Sequence, residues 1–231
     1  MPAKNRIKTY ISDSYYHVYN RGVDKRTIFQ DEQDYNVFLS YLKTYLNVKD
    51  VNYLESVLFD DDADRDEKRK AKKELDLNNF NGLIDLSVYC LMSNHFHFLL
   101  KQKGHSDMDV FMNSLCTRYS MYFNKKYDRV GPLFQGVYKA VLVSDNEQLS
   151  YLSRYIHRNP MSALSKNKKL IEFSYSSYPS FVNDKKNELI NQLPILELFN
   201  NDKEAYKKFV ENDLELSEGL EEYYVNHLYI E

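Results

Sequence analysis

Two apolar runs separated by only two residues constrain this chain more than any other feature. Asp85-Leu-Ser-Val-Tyr-Cys-Leu-Met92 and His95-Phe-His-Phe-Leu-Leu-Lys101 flank Ser93-Asn94, a polar pair suited to a tight turn, so the stretch predicts an antiparallel hairpin. Successive side chains of a strand point to opposite faces. His95 and His97 therefore share one face, with Phe96 and Phe98 on the other. Imidazoles side by side on a rigid strand suit a divalent cation when a third ligand approaches from elsewhere. A buried strand whose histidines are satisfied by hydrogen bonds fits the same pattern, and the hairpin alone leaves both readings open.

The remaining elements fall around this hairpin. Ser14-Tyr-Tyr-His-Val-Tyr-Asn-Arg-Gly22 is aromatic and β-branched and ends in Gly, which predicts a first strand. Asp31 is placed to cap a helix whose Tyr35, Phe38, Leu42 and Tyr45 recur at helical spacing, with Leu39 and Leu46 widening the stripe. Asp107 or Ser106 opens a second helix with Phe111, Leu115, Tyr119 and Tyr122 on one face. After the turn-rich Gly131-Pro-Leu-Phe-Gln-Gly136, Val137 to Val143 reads as the fourth strand. Ser144-Asp-Asn-Glu147 has the form of a capping box for a further helix with Leu149, Leu152 and Ile156 as its core stripe, ending near Asn159 because Pro160 follows. The first six elements run βαββαβ. That order predicts an α+β fold with a ferredoxin-like antiparallel sheet and helices on one face.

The domain expectation is a core over residues 10–170, with a charged insertion at about 49–82, and an acidic, mostly helical C-terminal extension over 171–231. Asp60-Asp-Asp-Ala-Asp-Arg-Asp-Glu-Lys-Arg-Lys70 has hardly any apolar content and reads as an exposed helical insertion or a partly ordered loop. Tyr175-Ser-Ser-Tyr178 and a helical-looking 195–212 read as parts of the extension packed on the core.

Charge is unevenly distributed. The formal net charge of −3 hides 5 basic against 13 acidic residues over 172–231, and 26 against 21 before that. No acid occurs between Gln148 and Ile171, where Arg154, Arg158, Lys166, Lys168 and Lys169 lie. A basic body with an acidic tail permits phosphate binding without requiring it. Two cysteines, Cys90 and Cys116, are too few for a disulfide framework and fit a reducing cytoplasm. Met1-Pro-Ala-Lys-Asn-Arg-Ile-Lys8 precedes no apolar run, and no stretch approaches membrane-spanning length.

Tyr155-Ile-His-Arg-Asn-Pro160 is the second candidate feature. Tyr155 and Asn159 are four apart on one helix face, separate from the Leu149/Leu152/Ile156 stripe, with Tyr151 and Gln148 extending that face. A phenol there is a nucleophile for phosphate if a cation polarises the phosphoryl oxygen, and the Asn159 amide is an oxygen donor for a hard cation such as Mg²⁺ or Mn²⁺. In a chain with 21 tyrosines, packing is the ordinary role of a helical Tyr.

Five blocks in register carry a family resemblance: Tyr16-His-Val-Tyr-Asn-Arg-Gly22, Leu91-Met-Ser-Asn-His-Phe-His97, Arg118-Tyr-Ser-Met-Tyr-Phe-Asn124, Gly131-Pro-Leu-Phe-Gln-Gly136 and Tyr155-Ile-His-Arg-Asn-Pro160. Over roughly residues 10–165 the chain resembles the single-tyrosine HUH transposases of the insertion-sequence-200-like family, most of all the REP-associated tyrosine transposase branch. The resemblance implies a nuclease core that cleaves and rejoins single-stranded DNA, with hairpin-forming targets. It implies that His95, His97 and Asn159 hold a divalent metal, Mg²⁺ or Mn²⁺, and that Tyr155 is the nucleophile that joins the 5′-phosphate and leaves a free 3′-OH. DNA contacts are expected from Arg21, Arg118, Lys125, Lys126, Lys139, Arg154 and Arg158, and a homodimer is compatible.

One departure stands out. Where the family commonly continues with Arg after the Gly131–Gly136 block, this chain has Val137 and keeps Lys139 two residues later. The alternative function is a nucleic-acid-binding protein without catalysis on the same fold, although the Lys/Arg-Gly-Phe/Tyr-Gly/Ala-Phe strand signature of RNA-recognition domains is absent. A zincin is disfavoured because no His-Glu-x-x-His occurs. A two-histidine phosphoesterase is disfavoured because no His heads a His-x-Ser/Thr element.

Overall fold

The computed structural model describes residues 10–164, 168–183 and 187–212. Lys166, residues 184–186 and 213–231 of the acid-rich tail, and the opening Met1–Lys8 stretch lie outside the described residues.

Four strands form one antiparallel sheet: β1 Ser14–Arg21, β2 Ile84–Met92, β3 His95–Gln102 and β4 Lys139–Leu142. Their spatial order is β2-β3-β1-β4, with every neighbouring pair antiparallel. This is the ferredoxin-like arrangement expected from βαββαβ. Met92 pairs with His95 immediately either side of Ser93-Asn94, so the two-residue turn sets the hairpin register. A bulge between Leu86 and Val88 shifts the alternation of β2, sending Leu86, Tyr89 and Leu91 to one face and Val88, Cys90 and Met92 to the other. The fourth strand is shorter than the sequence suggests. Val137 and Tyr138 follow Gly136, whose φ of 78° turns the chain before pairing begins.

One sheet face carries Tyr16, Val18, Phe96, Phe98 and Leu100, covered by α1 Glu32–Leu46 and α4 Asp107–Lys126. The helical stripes Phe38/Leu42/Tyr45 and Phe111/Leu115/Tyr119 are buried there. Asp31 caps α1 by accepting from Asp34 N–H, as its position implied. Between α1 and β2, the insertion forms α2 Val51–Phe59 and α3 Arg65–Leu75 packed on each other. Its charged block is helical from Arg65 onward, capped by Asp64 and Glu67 in a reciprocal box, whereas residues 60–64 precede the helix as irregular chain.

The opposite face is also covered, which extends the one-sided arrangement expected from the sequence. α5 Asn146–Arg158 lays Leu149, Leu152 and Ile156 on Val88, Cys90, Met92 and Leu99. The C-terminal helices α6 Tyr178–Val182, α7 Leu193–Leu196 and α8 Lys203–Glu211 complete this layer with Phe181, Ile195, Tyr206 and Val210. The helical reading of 195–212 is interrupted at Asn200 and Asn201, both at positive φ, and Asp202 then caps α8. Leu91 N–H donates to Tyr175 O at 2.9 Å and Ser177 N–H to Tyr89 O at 2.9 Å, so the Tyr175–Tyr178 segment shields the outer edge of β2. Among the described residues, no helix is long and apolar enough to cross a membrane.

Candidate active site

Alternation along β1 and β3 assembles the site. Tyr19 pairs with His97 and Arg21 with His95, so His17, Tyr19 and Arg21 share the face of His95 and His97. His17 and His97 are fully buried. His17 Nε2 lies 2.9 Å from His97 Nδ1, whereas His97 Nε2 has no hydrogen-bond partner. His95 Nδ1 lies 2.6 Å from Asn94 Oδ1, and its Nε2 lies 2.9 Å from Asn159 Oδ1.

Helix α5 delivers the phenol and the amide. Its N-cap is Asp145, not Ser144: Asp145 accepts from Gln148 N–H at 2.7 Å, and the Gln148 side chain reaches back to Ser144 N–H at 2.7 Å. The Ser144/Glu147 box expected from the sequence is replaced by these contacts of Asp145 and Gln148, one residue further along. With Ile156 and Leu152 seated on the sheet, Tyr155 meets the histidines edge-on, its ring centroid 5.5 Å from His97 and 5.9 Å from His17. Asn159, one turn later, ends the helix against His95. The face of α5 that holds His157 is tied down independently. His157 Nε2 lies 2.8 Å from Ser177 Oγ and its Nδ1 2.8 Å from Tyr206 Oη.

Burial holds all three histidines of the cluster neutral. It pushes His17 down to about 3 and His97 well below the ordinary imidazole range, where neighbouring His17 and His95 add to the effect. His95 is lowered first by burial, with Arg21 contributing and the Asn159 contact opposing. Neutral imidazole is the form that binds a metal. Among the described residues, no group of three or more His, Cys, Asp or Glu side chains converges as a cation site. What does come together is two imidazoles, His95 and His97, and the carboxamide of Asn159, and the buried Nε2 of His97 has no hydrogen-bond partner, which fits a place for a cation.

The basic residues singled out from the sequence disperse. Arg21 and Lys139 lie on the histidine face: Arg21 Nε donates to Gln135 Oε1 at 2.5 Å, and Lys139 Nζ sits 5.7 Å over the Tyr19 ring. Arg154 and Arg158 reach the other way and bond the last carbonyls of α8, Arg154 Nε to Phe209 O at 2.8 Å and Arg158 to Val210 O at 2.8 Å. Arg118 stacks on Tyr41 at 3.8 Å in the α1/α4 layer. Lys126 is clamped by Asp31 at 2.7 Å and buried Asp34 at 2.8 Å, while Lys125 is exposed at the end of the same helix. His17 and Tyr19 are the site residues that sequence reasoning did not single out. Their signal was the period of two shared with Arg21, uninformative until β1 was known to lie beside β3.

Fold and site together define an α+β chain with a ferredoxin-like sheet on which neutral histidines, a phenol and a carboxamide converge. Residues 63–159 match the family model described as "Transposase IS200 like", a stretch that contains His95, His97, Tyr155 and Asn159. Over that stretch the match agrees with the resemblance to the IS200-like transposases read from the sequence blocks. No curated protein matches the chain. Among solved structures, one described as "Structure of the REP associates tyrosine transposase bound to a REP hairpin" is 10% identical, with 82% of this chain and 94% of that chain covered and a TM-score of 0.50. At that identity the likeness is one of fold.

Proposed function

We propose that the chain is a metal-dependent transposase or endonuclease that cuts and rejoins single-stranded DNA through a tyrosine. The observation that supports this most is the meeting of Tyr155 with His97 and of Asn159 with His95 at one place, from an element the sheet alone does not supply. The Tyr155 oxygen attacks the backbone phosphorus and gives its proton to water, the bond from phosphorus to the 3′ oxygen breaks, and that oxygen takes up a proton from water. The products are a 5′-phosphotyrosine and a free 3′-OH. Attack by a 3′-OH on the phosphotyrosine reverses the chemistry, so the energy of the broken bond is kept and no nucleotide is consumed.

His95, His97 and Asn159 are the residues that would hold Mg²⁺ or Mn²⁺. When bound, such a cation polarises a phosphoryl oxygen and neutralises charge that builds up on it. An unaided phenol, with a pKa near ~10, is a poor nucleophile at neutral pH. Arg21 and Lys139 flank the cluster and are placed to bind backbone phosphates. Lys139 takes over in this reading what Val137 cannot supply. Hairpin-forming DNA is the substrate class, in keeping with the hairpin-bound transposase of similar fold. All four side chains come from one chain, so a second copy is not required.

Incubation with labelled single-stranded hairpins and Mg²⁺ or Mn²⁺ tests the reading. A covalent protein–DNA adduct that disappears in Tyr155→Phe is expected. Hairpin binding with no adduct under any cation would favour the non-catalytic nucleic-acid-binding alternative.

A further inference from the structure

Three histidines lie together, yet they are not equivalent. His17 and His97 meet edge to edge: their rings are within 11° of parallel, the centroids are 5.1 Å apart, and the approaching nitrogens are 2.9 Å apart. One of those nitrogens carries the hydrogen and the other accepts it, because two lone pairs or two N–H groups at that distance would repel. The bond occupies His17 Nε2 and His97 Nδ1, and the other nitrogen of each ring, His17 Nδ1 and His97 Nε2, is buried without a hydrogen-bond partner.

We infer that His17 is a positioning residue: it accepts the hydrogen bond from His97 Nδ1–H, holds His97 in that tautomer, and so keeps the His97 Nε2 lone pair for the catalytic cation. The inference rests on the reading of His95, His97 and Asn159 as the cation's donors. Its logic is that of a single shared proton. If His17 donated instead, His97 would have to carry its own hydrogen on Nε2, and the orphaned nitrogen would be a donor with no lone pair to give. With His97 as donor, the orphan is an acceptor beside His95 and Tyr155. His17 itself does not join the donor set. Its Nε2 is consumed by His97, and it is fixed on β1, the strand between β3 and β4 in the middle of the sheet, with no exposed surface. The second-neighbour group that orients a metal-bound imidazole is commonly a carboxylate or a carbonyl. Here another imidazole does the same work, and being neutral it adds no charge to the site.

The test uses the full chain labelled with ¹⁵N-histidine. Long-range proton–nitrogen spectra, assigned by single substitutions, report which nitrogen of each imidazole is protonated. His97 is expected as the Nδ1–H tautomer in the protein saturated with Mg²⁺. An Nε2–H tautomer there overturns the inference. Mn²⁺ affinity provides the second readout. His17→Leu removes the acceptor and is expected to weaken Mn²⁺ binding by about 10- to 100-fold. His17→Gln, whose amide oxygen can accept from Nδ1–H, is expected to recover most of it, which a purely structural role for the ring would not produce. Wild-type binding that His17→Leu leaves unchanged overturns the inference alone. Absence of cation binding by the wild type overturns the donor reading and this inference with it. If His17→Leu does not fold, the wild-type tautomer and the His17→Gln affinity still decide.

Discussion

Asn159 Oδ1 lies 2.9 Å from His95 Nε2, joining the end of α5 to the start of β3 across 64 positions of sequence. The contact makes Asn159 the residue through which helix and strand share one site. Asn159→Leu is expected to weaken Mn²⁺ binding by about 10-fold or more and to reduce adduct formation in parallel, at unchanged hairpin affinity. Titration calorimetry with Mn²⁺ alongside the adduct assay checks this. Undiminished Mn²⁺ affinity would remove Asn159 from the donor set.

Tyr155→Phe removes one oxygen and keeps the ring that packs on His97. Adduct formation is expected to vanish while hairpin binding and the thermal midpoint stay near wild type. Tyr119→Phe serves as the control, because Tyr119 is buried and its hydroxyl donates to Ile28 O at 2.5 Å. That variant is expected to lose about 1 kcal/mol of stability and keep the adduct. The reverse pattern would sink the assignment of the nucleophile.

Acid should destabilise the fold through its buried histidines. Burial lowers His157 from 6.5 to about 3 in the folded state, and His17 likewise. Above pH 6.5 both states are neutral at these positions and nothing is gained or lost. As pH falls from there towards 3, the unfolded chain takes up protons that the folded chain refuses, so stability declines by up to about 1.4 kcal/mol per pH unit for each group. Urea midpoints measured from neutral to mildly acid pH report the slope, and His157→Gln should flatten part of it. A midpoint that does not fall on acidification contradicts the expectation.

Lys126 and Lys139 were alike in sequence and should now separate. Lys126→Met strips the cation from Asp34, which has no exposed side-chain surface and also accepts from Gln30 N–H at 2.7 Å and Tyr127 Oη at 2.9 Å. Leaving that carboxylate without its cation is expected to cost about 3 kcal/mol of stability by urea unfolding.

Lys139→Met should leave stability nearly unchanged and act on DNA. Loss of one phosphate contact is expected to reduce the slope of log affinity against log salt by about 1. A slope identical to wild type would place Lys139 off the DNA path.

Much of this architecture was legible because it is local. The Ser93-Asn94 turn, the alternation of His95-Phe96-His97-Phe98 and the helical spacing of Phe38, Leu42 and Tyr45 each depend on residues a few positions apart. The errors were local as well: the cap moved from Ser144 to Asp145, and two left-handed asparagines broke the helix read through 195–212. The charges were less legible, since a lysine's partner is set by what packs beside it; Arg154 and Arg158 face α8, and Lys126 faces Asp34.

By itself, then, the sequence determined the order of strands and helices, the shared face of His95 and His97, and the shared face of Tyr155 and Asn159. Tertiary structure alone decided that β1 lies beside β3 in the register that sets Tyr19 against His97, which brings His17 to within one hydrogen bond of a residue 80 positions away. It alone decided that α5 crosses to the face opposite α1 and α4, under the C-terminal helices. The physical reason is one of range. Backbone geometry and turn chemistry act over a few residues, whereas strand register and helix docking are chosen by the burial of side chains that meet only once the whole sheet has formed.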